Sequence, residues 1–192
     1  MDLFRRGASS AGKDSPLKRR DYPPGVHAQR RSKVSDFGVR LREKQKLKRI
    51  YGVRERQFMN LFAKAQRLKG NTGENLLNLM ERRLDATIVT AGFALSIPQA
   101  RQLVVHGHFR VNGKRVNVPS YSVRPGDVIT LRDKEGTKKI VETNVELNTG
   151  THVPPWVEVD TKGFEAKVVN LPKREDFPYP IVEQLIVECC SR

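Results

Sequence analysis

Between Ser96 and Leu131 the chain is punctuated so densely that few conformations remain open to it. Ser96 stands before an apolar run and Gln99 follows three residues later, the spacing of a capping box in which Gln99 returns a hydrogen bond to the cap. The helix so opened buries Ala100, Leu103 and Val104 and closes at Gly107, where a left-handed residue suits a helix end. Phe109 to Val111 and Arg115 to Val118 alternate at period two around Asn112-Gly113-Lys114, and Asn-Gly favours the primed turn that matches strand twist. This predicts a hairpin with Lys114 and Arg115 at its tip. Arg124-Pro-Gly-Asp127 turns the chain again, and Val128 to Leu131 return as a strand.

Upstream, Leu76, Leu77, Met80, Leu84 and Ile88 recur at three and four residues and predict one helix that Gly92 ends. At about 100° per residue, Arg82 and Arg83 point away from that stripe, as Arg101 and Gln102 do on the next helix. Cations crowded on facing elements are expected to bind a polyanion.

Before this module the spacing predicts two more helices. Ser35 caps the first, whose stripe is Phe37, Leu41, Leu47, Ile50 and Tyr51, with Gly52 at its end. Its other face carries Arg40, Arg42, Lys44, Lys46, Lys48 and Arg49 against only Asp36 and Glu43. Like charges along one helix repel unless an outside anion relieves them, so this face is a second expected binding surface. The following helix buries Phe58, Leu61, Phe62, Ala65 and Leu68 and stops at Gly70. Arg54 and Arg56 at its start oppose the helix dipole, an arrangement that a phosphate backbone would favour. Residues 1 to 33 show no apolar periodicity and are expected to form a basic extended arm that orders only against a partner.

The charge balance narrows the partner. Net charge is +15; residues 1 to 60 hold 17 Lys and Arg against 6 Asp and Glu, whereas residues 146 to 192 hold 5 against 8. A front-loaded basic surface draws binding energy from released counterions, as nucleic acid permits. No apolar run approaches the roughly 20 residues that span a bilayer, so a soluble cytosolic protein is expected. Beyond residue 132, strands are expected at 156 to 159 and 164 to 169, followed by an apolar segment from Ile181 to Val187 that is expected to serve the protein's own packing more than RNA.

Enzymatic chemistry finds little footing. His27, His106, His108 and His152 are the histidines, and no nucleophile motif, phosphate-cradling glycine loop or paired carboxylates accompany them. His106 and His108 flank a helix end, where base stacking or capping suits them better. Asp85 is expected to orient a neighbouring arginine. Cys189 and Cys190 are adjacent near the terminus, which leaves neither a disulfide framework nor metal-ligand spacing. No cofactor is expected.

Arg83-Leu-Asp85, Gln99-Ala-Arg-Gln-Leu103, His106-Gly-His108, Val111-Asn-Gly-Lys114 and Pro119-Ser-Tyr121 resemble the small RNA-binding domain of bacterial small-subunit ribosomal protein four. Some pseudouridine synthases, a heat-shock protein and certain tyrosyl-tRNA synthetases share it. Tyr22-Pro-Pro-Gly25, Leu41-Arg-Glu-Lys-Gln-Lys46, Arg49-Ile-Tyr-Gly52, Glu55-Arg-Gln-Phe58, Gly70-Asn-Thr-Gly-Glu-Asn75 and Leu185-Ile-Val-Glu188 extend the resemblance to the ribosomal protein over nearly the whole chain. A free RNA-binding regulator is the rival class, which a high-salt wash of small subunits would separate.

The resemblance implies an α+β fold. A helical domain of residues 34–83 plus 173–192 would carry an inserted RNA-binding domain, 84–172, of two helices on a small, mostly antiparallel sheet. Composition alone would draw the border near Gly70. It implies a structural protein of the small subunit that binds a multi-helix junction near the 5′ end of the rRNA early in assembly, with Tyr121 and Arg124 joining the cations above. It implies a contact with small-subunit ribosomal protein five through Ile181, Glu183, Leu185, Ile186 and Val187, and a share in decoding accuracy. Arg30, Arg31 and Lys33, just after the Pro-Pro-Gly motif, match cations that line the channel by which mRNA enters. Ser10 and Ser15 stand about where many relatives carry zinc-binding cysteines, so a zinc-free variant is expected.

Overall fold

The computed structural model describes residues 22, 25–26, 34–148, 153–177 and 179–191. Among the described residues three helices come first: α1 (Asp36–Ile50), α2 (Glu55–Arg67) and α3 (Thr72–Glu81). Ser35 caps α1 by accepting from the Gly38 amide at 3.2 Å, and Asn71 caps α3 by accepting from Gly73 at 2.9 Å. Leu47, Ile50, Tyr51, Phe58, Phe62, Ala65, Leu76, Leu77 and Met80 form their common core. Two stripe residues depart from expectation. Phe37 is exposed, because the buried residues of α1 lie near its far end, at Leu47 and Ile50. Leu68 is exposed because α2 stops at Arg67 and the extended backbone at Leu68 carries it off the helix face.

The long helix expected from Leu76 to Ile88 is two, α3 and α4 (Leu84–Thr90). Arg83 adopts an extended backbone between them and bridges to Ser122. The Tyr121 carbonyl accepts from the Leu84 amide and the Pro119 carbonyl from Asp85, so the first turn of α4 is supplied by a distant loop. In α5 (Ile97–Val105), Ser96 Oγ accepts from the Gln99 amide as expected. Gln99 Oε1, however, accepts from Leu95 at 2.7 Å, one residue before the cap.

Five antiparallel strands follow: β1 (Phe109–Val111), β2 (Lys114–Arg115), β3 (Val128–Leu131), β4 (Val157–Asp160) and β5 (Glu165–Val168), in the order β2-β1-β3-β5-β4. Asn112 and Gly113 both take positive φ, 51° and 75°, and Val111 pairs Lys114, the geometry of a primed two-residue turn. Asp127 ties the next turn down, accepting from the Asn112 amide group at 2.8 Å and the Arg124 backbone at 2.8 Å.

A helix the periodicity did not reveal, α6 (Glu135–Leu147), follows β3. Of its buried residues Thr137, Val141 and Asn144, only Val141 is apolar. It docks by hydrogen bonds instead: Asn144 donates to the Phe93 carbonyl and accepts from Gln99, while Asn148 donates to the Gly92 carbonyl. The second core, from Leu84 through Phe93, Phe109 and Ile129 to Trp156 and Val168, lies among α4, α5, α6 and the sheet.

The chain then returns to the first core. A short 3-10 turn (Arg174–Asp176) leads to α7 (Glu183–Cys190), which packs on α1 and α3. Gly73 permits this approach, since a Cβ there would stand 2.8 Å from the Glu183 side chain. Ile181 and Ile186 are buried in the first core. Of the segment expected both to pack on the chain itself and to meet a partner protein, these two residues are taken up by the chain's own packing.

Candidate nucleic-acid interface

Four of the six cations on α1 have intramolecular partners. Arg40 meets Glu188 of α7 at 2.6 Å, Lys44 meets Glu55 of α2 at 2.8 Å, Lys48 meets the same Glu55, and Lys46 meets Glu43 at 3.1 Å and the Pro180 carbonyl. The Lys44 and Lys48 hydrogen bonds hold the Glu55 carboxyl below its ordinary range. The face is therefore less repulsive than its sequence suggested, because Glu55 and Glu188 come from other helices to join Glu43 of α1 itself. Arg42 and Arg49, with Arg54 and Arg56 at the start of α2, are exposed and make no ion pair among the described residues.

Arg83, expected on an outward face, is only 4% exposed. Its Nε and Nη2 donate to the two oxygens of the fully buried Asp85 at 3.0 and 2.7 Å. Asp85 also accepts from Arg101 Nη2 at 3.0 Å. Arg101 donates further to the Gly52 and Tyr51 carbonyls, so one guanidinium spans from α5 to the end of α1. Both arginines serve a buried joint between the two cores, and of this pair of expected outward faces Gln102 and part of Arg82 remain open. Burial of a carboxylate demands such partners.

Arg82 donates from Nε to the Val123 carbonyl at 3.0 Å. Burial first, and then the charge of exposed Arg124, hold its guanidinium below its ordinary value. Two arginines close enough to repel mark a place where phosphate is welcome. At the other edge, His106 is exposed and makes an edge-on contact with the half-buried His108, ring centres 6.0 Å apart. Burial, then His106, Lys134 and Arg132, lower the His108 pKa, and its Nδ1 lies 3.0 Å from Thr137 Oγ1. Lys114 and Arg115 are exposed at the hairpin tip. Gly107, at φ +70°, allows the Arg115 guanidinium to lie against the end of α5, where a Cβ would come within 2.2 Å of Nε. A cation there also complements the helix dipole. Tyr121 is partly exposed beside Arg82 and Arg83 in the bridged loop.

Arg132 and Lys134 belong to this cationic rim although the sequence reading passed over them. Their position directly after β3 was the available signal. At the C terminus, Glu183 pairs with Arg174 at 3.1 Å, and Leu185 and Val187 are half-buried. Arg30, Arg31, Lys33, Ser10 and Ser15 lie outside the described residues. Among the described residues no group of His, Cys, Asp or Glu could hold a metal, and no helix is long and apolar enough to cross a membrane.

Helices over an antiparallel sheet, rimmed by unpaired arginines and a cationic hairpin tip, define a protein of the S4-domain RNA-binding class. Residues 82–129 match the S4 domain and residues 1–81 the ribosomal protein S4/S9 N-terminal domain. The chain is 50% identical over 192 residues to small ribosomal subunit protein uS4 of Thermoanaerobacter sp. (strain X514), covering 100% of this chain and 92% of the relative. It is 50% identical over 192 residues to uS4 of Thermodesulfovibrio yellowstonii, and 49% over 193 to uS4 of Thermus thermophilus, with the same coverage. The chain belongs to the uS4 family of small ribosomal subunit proteins. It is accordingly a structural ribosomal component with an RNA-binding domain and not an enzyme.

Proposed function

We propose that this protein is a primary rRNA binder that organises a multi-helix junction near the 5′ end of the small-subunit rRNA and nucleates assembly of the subunit body in the cytoplasm. The observation that carries the reading is the Arg101 bridge, which ties α5 to the Tyr51-Gly52 carbonyls and joins two cation-bearing units at one angle. In this reading the units are a helical domain, 34–83 plus 173–192, and an inserted domain, 84–172. A-form RNA offers phosphates and shape more than readable base edges, so a rigid body with several cationic faces fixes the mutual angles of the helices it touches. Arg42, Arg49, Arg54 and Arg56 grip one helix, while Arg82, Arg124, Lys114, Arg115 and the His106 and His108 edge grip others.

Binding to a transcript of the 5′ region, measured over a range of salt, tests this. Replacing exposed Arg42 and Arg49 by Glu is expected to flatten the slope of log affinity against log salt by about two phosphate contacts, roughly 0.7 to 0.9 each, with the melting temperature unchanged. An unchanged slope refutes the assignment.

Two finer roles belong to the same reading. Arg30, Arg31 and Lys33 contact mRNA phosphates without sequence preference where the message enters. Their replacement by Ala is expected to leave assembly normal and slow translation only through stable mRNA hairpins; normal speed there would remove the role. Glu183, Leu185 and Val187, the half-buried side of α7, contact small-subunit ribosomal protein five. Leu185→Glu is then expected to raise stop-codon readthrough in correctly assembled subunits, and parental readthrough would contradict it.

A further inference from the structure

A cleft of about 240 Å³ opens where α2 meets the break between α3 and α4, and its chemistry differs from the rest of the cationic surface. Leu61 and Leu79, both half-buried, supply apolar lining. Gln57 and Asn60, one helical turn apart on α2, contribute two amides, and Lys64 follows on the same face. None of these three polar side chains hydrogen-bonds or ion-pairs within the described residues, in contrast with the paired lysines of α1.

Arg83 lines the same cleft from beneath. Asp85 takes its Nε and Nη2, which leaves Nη1 without a partner among the described residues. No fully buried side-chain nitrogen or oxygen among the described residues lacks a partner, and the cleft is the open space that Arg83 lines. The backbone bridge from Arg83 to Ser122, with the Tyr121 carbonyl accepting from Leu84, holds this wall in place.

We propose that the cleft receives a single unstacked nucleotide of the bound rRNA, its base on Leu61 and Leu79 with its edge read by Gln57 and Asn60, and its phosphate between Lys64 and Arg83. The inference rests on the rRNA-binding reading above and deepens it. The cleft is below the roughly 300 to 1,000 Å³ of sites for larger small molecules, which suits one planar ring. Proteins read RNA sequence mainly at such splayed, unpaired bases, by stacking or apolar contact and by hydrogen bonds to their edges. Extrusion costs least for a nucleotide that is already unpaired, as at a bulge or junction.

Chemical probing of base-pairing edges along the 5′-region transcript, free and bound, tests the proposal. With the parent protein, one unpaired nucleotide is expected to be protected at its Watson–Crick edge. Gln57→Ala with Asn60→Ala, both at exposed positions, is expected to restore reactivity at that nucleotide alone and to weaken binding about tenfold, two lost hydrogen bonds' worth, with an unchanged salt slope. Asn60→Trp, which fills the cleft, is expected to restore the same reactivity and, by displacing the phosphate from Lys64 and Arg83, to flatten the salt slope by about one contact. Melting temperatures of both variants check that the fold is intact. If the variants keep every protection and the parent affinity, the slot is refuted while rRNA binding stands. If the parent protein protects nothing and does not bind the transcript, both readings fall.

Discussion

Asp85 is where a small chemical change is expected to have the largest structural effect. Its carboxylate has no exposure to solvent and accepts from Arg83, Arg101 and the Ala86 amide. Asp85→Ala removes the counter-charge of Arg83, whose side chain is only 5% exposed and meets solvent only at the edge that lines the α2 cleft. Stranding one member of a buried pair costs about 3 to 5 kcal/mol. Arg101, 36% exposed at its side chain, can turn outward and adds little to that cost. For a chain of this size each kcal/mol moves the melting temperature by about 2 to 4 °C, so a fall of roughly 6 to 20 °C is expected in thermal unfolding followed by circular dichroism. Replacing both partners, Arg83→Met with Asp85→Leu, removes the stranded charge and is expected to recover most of the loss. A melting temperature for Asp85→Ala within about 2 °C of the parent, the smallest shift that one kcal/mol would give, or a double variant worse than the single, would refute the reasoning. The same geometry predicts that Arg83→Glu, which sets two carboxylates together, destabilises the fold before RNA binding can be judged.

Because burial and neighbouring cations lower the His108 pKa, the unfolded chain binds more protons than the folded one below the ordinary histidine value of about 6.5. This contribution vanishes above that value, and stability is lost as pH falls through it; in urea titrations from about pH 7.5 to 5.5, His108→Gln is expected to lose less than the parent, and equal losses would exclude the effect. Burial pushes the Cys190 thiol up to about 11 from an ordinary 9.0, leaving about a hundredfold less thiolate at neutral pH. Alkylation mapped by peptide mass is therefore expected to modify Cys190 far more slowly than an unfolded control, and equal rates would show that α7 does not hold it.

Local grammar was legible without any structure. Ser35, Ser96, Asn112-Gly113 and the Asp127 turn act through hydrogen bonds to residues within a few positions, so their roles could be read from spacing, and with the apolar stripes they yielded most of the helices, the hairpin and the strands, while the antiparallel sheet came from the resemblance. The resemblance of motifs along the whole chain likewise pointed to the family. Three things were decided only in space. The break between α3 and α4 depends on carbonyls of Pro119 and Tyr121, more than thirty residues away, which nothing in the run from Leu76 to Ile88 announces. Helix α6 docks through Thr137 and Asn144, and a polar residue that will be buried looks in sequence like one that will be solvated. Which cations remain free for RNA was settled by Glu55 and Glu188 reaching α1 from other helices and by Asp85 reaching Arg101 of α5. Ion pairing depends on separation in space and on exclusion of water, and neither quantity exists until the chain has folded.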